Sequence, residues 1–577
     1  MRFGERDPKH KVNFSLQDNQ LEQVASYKYL GVEFDRYLKF GAHGDNVKKR
    51  LDKKLGILKS LSGIEWGTST QSLLRYVEGC MRPIAEYGTQ AMSKANHDPF
   101  QNKVIETIDK TLRKAYRIAL GVPMSTKNEI VYILAGAKPL AYRAKQAALN
   151  YFSKVSYMGP QHPLYDNIQK VGKNPIMKPR RKLDKDGNEI VIYKRTQWAA
   201  VLVNELNKYG IDLPVCAPTT KYHPTVNYLH NVTFNIHELS KSKNELSESE
   251  LVIEGRSIED NFIEPELNSH LADNYFTDGS VCPITGQAGA AMLFINNNTG
   301  RQTQLCKITT RVGSMITELV AISAALTHCL NNVGARGNIN IFTDSLGALQ
   351  TIKKLPPHDN IELVNEIISK INQLNKTKFI NFHWIPSHAG IFYNDEVDMC
   401  ANEARDIGQI VNVKQSLSSA RSQIKKAIHN EWLTHVKNVK SDTLSAFLAI
   451  NPECKPLKLP QINRKLQVMI TYILTEQYNR CYKRDFTWCD YCEGAYGTFK
   501  SSHYLLECPI TSKYNQPLCE LLSNDEMAFK IDEQGRILLN KLYRNPSLLT
   551  DLIKKKTPIA RCEDNHVRDI HKYIPLM

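Results

Sequence analysis

The stretch INIFTDSLGALQTIKK, residues 339–354, carries two patterns in sequence. INIFTDS (339–345) reads as a buried strand that stops at an aspartate, and helical spacing follows over roughly 346–354. A second helical stretch covers roughly 360–374. Working outward, NYFTDGS (274–280) is another strand that ends at an acidic turn. GAAMLFINNNTG (289–300) reads as strand then turn, and QTQLCKI (302–308) as the strand that pairs with it. MITELVAISAALTHCL (315–330) sets Ile316, Leu319, Ile322, Leu326 and Leu330 along one side of a helix. FINFHWIPSH (379–388) is a further strand, and NDEVDMCANEA (394–404) a closing helix. The order βββαβααβα predicts an α/β domain, a mixed five-stranded sheet with helices packed on it.

Four acids occupy special places in this block. Asp278 follows the first strand, Glu318 lies in the first helix, Asp344 ends the central strand and Asp398 lies in the last helix. If the strands before Asp278 and Asp344 are sheet neighbours, their side chains converge. Carboxylates held together repel one another unless cations join them. Hard divalent cations with oxygen ligands relieve that repulsion, Mg²⁺ above all when phosphate completes the shell. Two such ions about 4 Å apart activate a water and stabilise a leaving 3′-oxygen at phosphorus. A single Asp at a strand end is usually a turn or a helix cap. Four acids in this order are harder to explain that way.

FTDGS, TELVAISAAL, IFTDS and WIPSHAGIFYNDEVDMCANEA together resemble the type 1 ribonuclease H fold, in the form found in LINE (non-LTR, Jockey-like) retrotransposon polyproteins. The last motif is the most specific. The resemblance implies that Asp278, Glu318, Asp344 and Asp398 bind two Mg²⁺ ions and cut the RNA strand of an RNA–DNA hybrid, leaving 5′-phosphate and 3′-hydroxyl. It also implies that His388, ten residues before Asp398, assists proton transfer or product release from a mobile loop. Alone, His388 would read as a surface or satisfied loop histidine. Two positions depart from the family pattern: Tyr393 replaces a usual Gly, and Asp395 a usual Glu. A Tyr at a Gly position could demand a different backbone angle and shift the His388 loop.

YKYLGVEFD (27–35) reads as a half-buried strand. Val47, Leu51, Leu55 and Leu58 then recur at helical spacing, with Lys48, Lys49, Arg50, Lys53 and Lys54 mostly on other faces. Thr68 or Ser69 can cap a second helix running to about Cys80, and a third covers roughly 100–120. These helices are a small bundle with a solvated basic face, or lie along a duplex backbone. They resemble the last palm strands and thumb helices of a LINE reverse transcriptase, yet no Asp-Asp pair occurs anywhere in the chain. The chain is therefore expected to lack a polymerase centre, as a reading frame that begins after it. Near the other end, Cys489, Cys492, His503 and Cys508 have zinc-ligand types and spacing, the makings of a closed structural Zn²⁺ site. The alternative is free cysteines in a cytosolic protein. Neighbours such as Tyr482, Trp488 and Tyr491 suit base stacking or a knuckle's own small core.

With 577 residues, three to five domains are expected at roughly 100–200 residues each. The sequence suggests four parts. They are a palm/thumb remnant at 1–135, a basic connector and Ser/Glu-rich linker at 136–268, the ribonuclease H domain at 269–410, and a helical C-terminal region at 411–577 with the CCHC segment at about 485–510. The formal net charge is +16, concentrated in the flanks, while 201–410 is slightly acidic. Basic flanks suit a polyanion, although solubility alone explains many basic proteins. No apolar run of about 18 residues and no apolar leader is visible, so no membrane partner is expected. Thirteen scattered cysteines argue for a reducing, intracellular setting, nucleus or cytoplasm. The expected partner is nucleic acid, chiefly an RNA–DNA hybrid, with RNA or single-stranded DNA as alternatives and an intact reverse transcriptase supplied by another chain. The rival reading is a catalytically decayed nucleic-acid-binding fragment.

Overall fold

The computed structural model describes residues 24–92, 103–168, 198–213, 230–475 and 531–547, apart from short breaks, together with strand segments within 14–21, 179–183 and 189–193. The chain divides into two compact units, one of residues 149–177 and 199–427, the other of residues 1–148, 178–198 and 428–577.

The first of these holds the sheet. Its elements are β1 (Val232–Ile236), α1 (Glu248–Ile258), a π-turn (Glu259–Ile263), α2 (Glu264–Asn268), β2 (Ala272–Val281), β3 (Ala288–Asn296) and β4 (Gly300–Ile308). There follow α3 (Ser314–Asn331), β5 (Asn338–Thr343), α4 (Leu346–Lys353), α5 (Ile361–Leu374), β6 (Phe379–Trp384), α6 (Phe392–Glu403) and β7 (Gln409–Val411). From β2 to α6 the order is the expected βββαβααβα. The sheet has seven strands in the order β7-β4-β3-β2-β5-β6-β1. β2, β3 and β4 are antiparallel, and β5, β6 and β1 run parallel to β2. The five-stranded expectation misses both edges. Edge strands of five and three residues are too short for alternation to stand out, and one side of each has no strand partner among the described residues.

The central strands are buried on both faces, which explains their near-continuous apolar runs. Successive residues of β2 serve opposite cores. Tyr275 joins Phe294, Leu319, Ile322, Ile341 and Ile367 under α3 and α5. Phe276 joins Leu293, Phe342, Ile391, Val397 and Ala401 under α6. The strand does not stop at an acidic turn before Asp278: it continues to Val281, with Asp278 opposite Ala291 of β3.

The span 136–268 is not the connector and linker that its composition suggests. It contains helices Leu140–Met158 and Trp198–Tyr209, besides β1, α1 and α2. The Ser/Glu excess misled because two of those residues form a capping box. Ser247 Oγ accepts from the Glu250 amide at 3.3 Å, and the Glu250 carboxylate accepts from the Ser247 amide at 2.8 Å. Leu251, Gly255 and Ile258 then face inward. Part of the basic stretch expected as a connector forms an antiparallel strand pair, Pro179–Leu183 with Glu189–Tyr193.

In the other unit, helix Gly41–Leu61 buries Val47, Leu51, Leu55 and Leu58, the stripe read from the sequence. Helix Lys103–Leu120 buries Ile108, Leu112, Ala115 and Ala119. Ser69 caps the intervening helix by accepting from the Ser72 amide at 3.2 Å. The nine-residue strand expected at 27–35 is instead a hairpin, Ser26–Tyr29 with Val32–Asp35. Leu30 and Gly31, both at positive φ, make its two-residue turn. Tyr132 meets Trp432 edge to face, and Lys145 pairs with Glu431 at 2.9 Å. Among the described residues, no helix is long and apolar enough to cross a membrane. The CCHC segment, Cys489, Cys492, His503 and Cys508, lies outside the described residues.

Candidate active site

β2 and β5 are hydrogen-bonded neighbours, with Thr277 paired to Thr343. Asp278 and Asp344, each the next residue along, therefore leave adjacent strands at the same end. Glu318 reaches them from the first turns of α3, and the approach depends on Gly279. A Cβ there would run into the Thr317 side chain and the Glu318 backbone. No other residue lets this helix sit so close to β2. One carboxylate oxygen from each of Asp278, Glu318 and Asp344 lies within 4.8 Å of the others. Asp398, on α6, comes within hydrogen-bonding reach of Asp278. Three of the four acids read from the sequence thus share one cradle, with Asp398 approaching Asp278 beside them.

Several contacts hold them there. Thr277 Oγ1 donates to the Phe342 carbonyl at 3.1 Å and Trp384 Nε1 to the Asp344 carbonyl at 2.9 Å, fixing the strand end. Asn402, one helical turn beyond Asp398, donates to its Oδ1 at 3.3 Å and accepts from Ser280 Oγ at 2.7 Å. It ties α6 to β2 beside the acids. Gly279 and Asn402 were not singled out from the sequence. The glycine directly after Asp278, and an amide at i+4 from Asp398 on the same helix face, were the available signals.

The electrostatics follow from crowding. Burial and the charges of Asp344 and Asp398 push Asp278 up to about 7. Burial, then Asp278 and Asp344, hold Glu318 well above the usual carboxylate range, although the Gly279 amide works the other way. Asp344 is also raised, mainly by burial, with His388 opposing. Asp278 is 7% exposed and Glu318 8%, and Glu318 Oε2 is buried without a hydrogen-bond partner. A buried carboxylate oxygen with no donor is costly unless something positive fills the gap. An all-oxygen donor set with an unsatisfied member fits a hard divalent cation.

His388 lies in the loop between β6 and α6, exposed, with φ of 52°. Its charge is felt at both Asp344 and Asp395. Tyr393 does not disturb this loop as its position suggested. It is helical, in the first turn of α6, and its ring packs on Phe276 with centroids 5.3 Å apart. The positive φ angles fall on His388 and Gly390 instead.

Residues 272–406 match the family model for RNase H. This stretch is an RNase H domain. The match begins at the first residue of β2 and ends just beyond α6. β1, α1 and α2 therefore precede the RNase H domain, although they complete its sheet and cover one face.

Proposed function

We propose that the RNase H domain hydrolyses the RNA strand of an RNA–DNA hybrid, with Asp278, Glu318, Asp344 and Asp398 holding two divalent metal ions. The observation that carries this reading is the convergence of three carboxylates to within 4.8 Å, Asp278 and Glu318 buried and Asp344 half-buried, with Glu318 Oε2 lacking a hydrogen-bond partner among the described residues. The ions, Mg²⁺ by the hardness of the donor set, supply Lewis-acid activation of water and neutralise charge on the leaving 3′-oxygen. The protein's part is placement. Asp278 and Asp344, on adjacent strands, fix one edge of the cradle, and Gly279 lets Glu318 close its floor. Asp398 completes the set from α6, with Asn402 setting its carboxylate plane. His388, exposed at the rim and facing Asp344 and Asp395, is placed to move a proton at the scissile phosphate's surroundings or to ease product away.

The flanks extend the proposal. The basic helices of 1–135 and their likeness to a reverse-transcriptase thumb support a LINE-derived protein that grips hybrid. A CCHC zinc knuckle at Cys489, Cys492, His503 and Cys508 belongs to the same reading.

Asp278→Asn tests the core of it. In Mg²⁺ the variant should lose about three or more decades of hybrid-cleavage rate, roughly 4 kcal/mol of barrier, while its far-UV CD stays that of the wild type. Cleavage at the wild-type rate would remove the assignment.

A further inference from the structure

His388 stands in a conformation that L residues with side chains rarely adopt, φ 52°, and Gly390 follows at φ 72°. A non-glycine residue stays there only where its surroundings over-determine it. The surroundings come from the segment ahead of the RNase H match, at three points around the loop. Lys243 Nζ donates to the Ser387 carbonyl at 2.7 Å and to Ser387 Oγ at 2.8 Å, gripping the residue directly before His388. Gly255 of α1 lies against the Ala389 carbonyl so closely that a Cβ would collide with it. Glu259 Oε1 accepts from the Phe392 amide at 3.0 Å, capping the helix that carries Asp398. Residues 387, 389 and 392 are each held by this one preceding segment.

We propose that residues 237–263 are a built-in clamp for the RNase H domain, in which Lys243 is a positioning residue that fixes the His388 loop for hybrid cleavage. The inference rests on the nuclease reading above. Lys243 lies in a short 3₁₀ turn and is exposed, so neither core packing nor the sheet requires it. A lysine donating twice to one loop residue is a charge-assisted anchor. Its ammonium also acts on Asp344, as His388 does, so loop-holding and charge effects must be separated experimentally.

The full chain allows both to be read. In Lys243→Met, amides of 385–392 should exchange with deuterium about tenfold faster than in wild type, while exchange in β2 and β5 stays unchanged. Single-turnover cleavage of an end-labelled RNA–DNA hybrid in Mg²⁺ should slow about tenfold without a change in hybrid affinity, and Lys243→Arg should restore most of the rate. Placed on His388→Ala, Lys243→Met should cost less than about twofold more, because its effect passes through the loop. Unchanged exchange at 385–392 in an active chain overturns the clamp. So does a full tenfold further loss on the His388→Ala background, which would assign Lys243 to the charge of Asp344 instead. A wild-type chain that binds hybrid and never cuts it, matched by Asp344→Asn, overturns the nuclease reading and the positioning role with it.

Discussion

Asp278 is the residue whose protonation most directly couples site to stability. Its folded-state pKa is raised from about 4 to about 7 by burial and by Asp344 and Asp398. Without metal, folding therefore favours the protonated form. The associated stability is present at low pH and is lost as pH rises through about 7. In EDTA at pH 8, Asp278→Asn should raise the domain's stability by on the order of 2 kcal/mol, roughly 5 °C in melting temperature. The gap should close towards pH 4 and shrink in millimolar Mg²⁺, since a cation relieves the same repulsion. Coincident EDTA melting curves of the two proteins at pH 8 would show that the acids do not repel as their spacing requires. Glu318, raised by burial and by Asp278 and Asp344 and with an orphan oxygen, acts in the same direction.

At the level of elements, α1 is held by its ends and one face rather than by sequence hydrophobicity. Its capping box satisfies two amides reciprocally, and its inward side chains meet the β6–α6 loop. Ser247→Ala should cost about 1 kcal/mol of local stability. Hydrogen exchange over 248–258 should then speed by roughly fivefold, and unchanged protection there would mean that packing alone holds the helix. β1 is joined to β6 by more than its ladder. Phe234 stacks on Phe382 at 5.3 Å, and His237 and His383 stack with a 3.1 Å nitrogen–nitrogen hydrogen bond. Burial holds the His383 imidazole down at about 4, so it stays neutral across ordinary pH. These contacts make a five-residue strand worth keeping at an edge where its ladder alone is weak.

At the scale of the molecule, charge is distributed unevenly. The RNase H block is slightly acidic, whereas the chain as a whole is +16. Its own carboxylates repel phosphate, so affinity for a polyanion is expected from elsewhere in the chain. Helix Gly41–Leu61 exposes Lys49, Arg50 and Lys53. Reversing Lys49 and Lys53 to Glu should weaken hybrid binding by the full chain about tenfold and lower the slope of log K against log salt by about two. The single-turnover rate at saturating protein should stay the same. An unchanged salt slope would remove this helix from the binding face.

The order of elements from β2 to α6, the apolar stripe of Gly41–Leu61 and the helix at Lys103–Leu120 were legible from residue order alone, as were the positions of Asp278 and Asp344 at or beside the ends of neighbouring strands. Periodicity and strand-end acids are local patterns, and each is written in a few consecutive residues. What no window could show was which chemistry meets across the chain. Gly279 matters because of Thr317 and Glu318, Lys243 because of Ser387, and Glu259 because of Phe392. The Ser/Glu-rich stretch reads as linker by composition, although it holds a locally capped helix, and its tertiary partners make it a loop anchor. Residue order determined the elements and the charges they carry. Three-dimensional packing decided which of those charges share a cradle, because burial and repulsion depend on distance in space rather than along the chain.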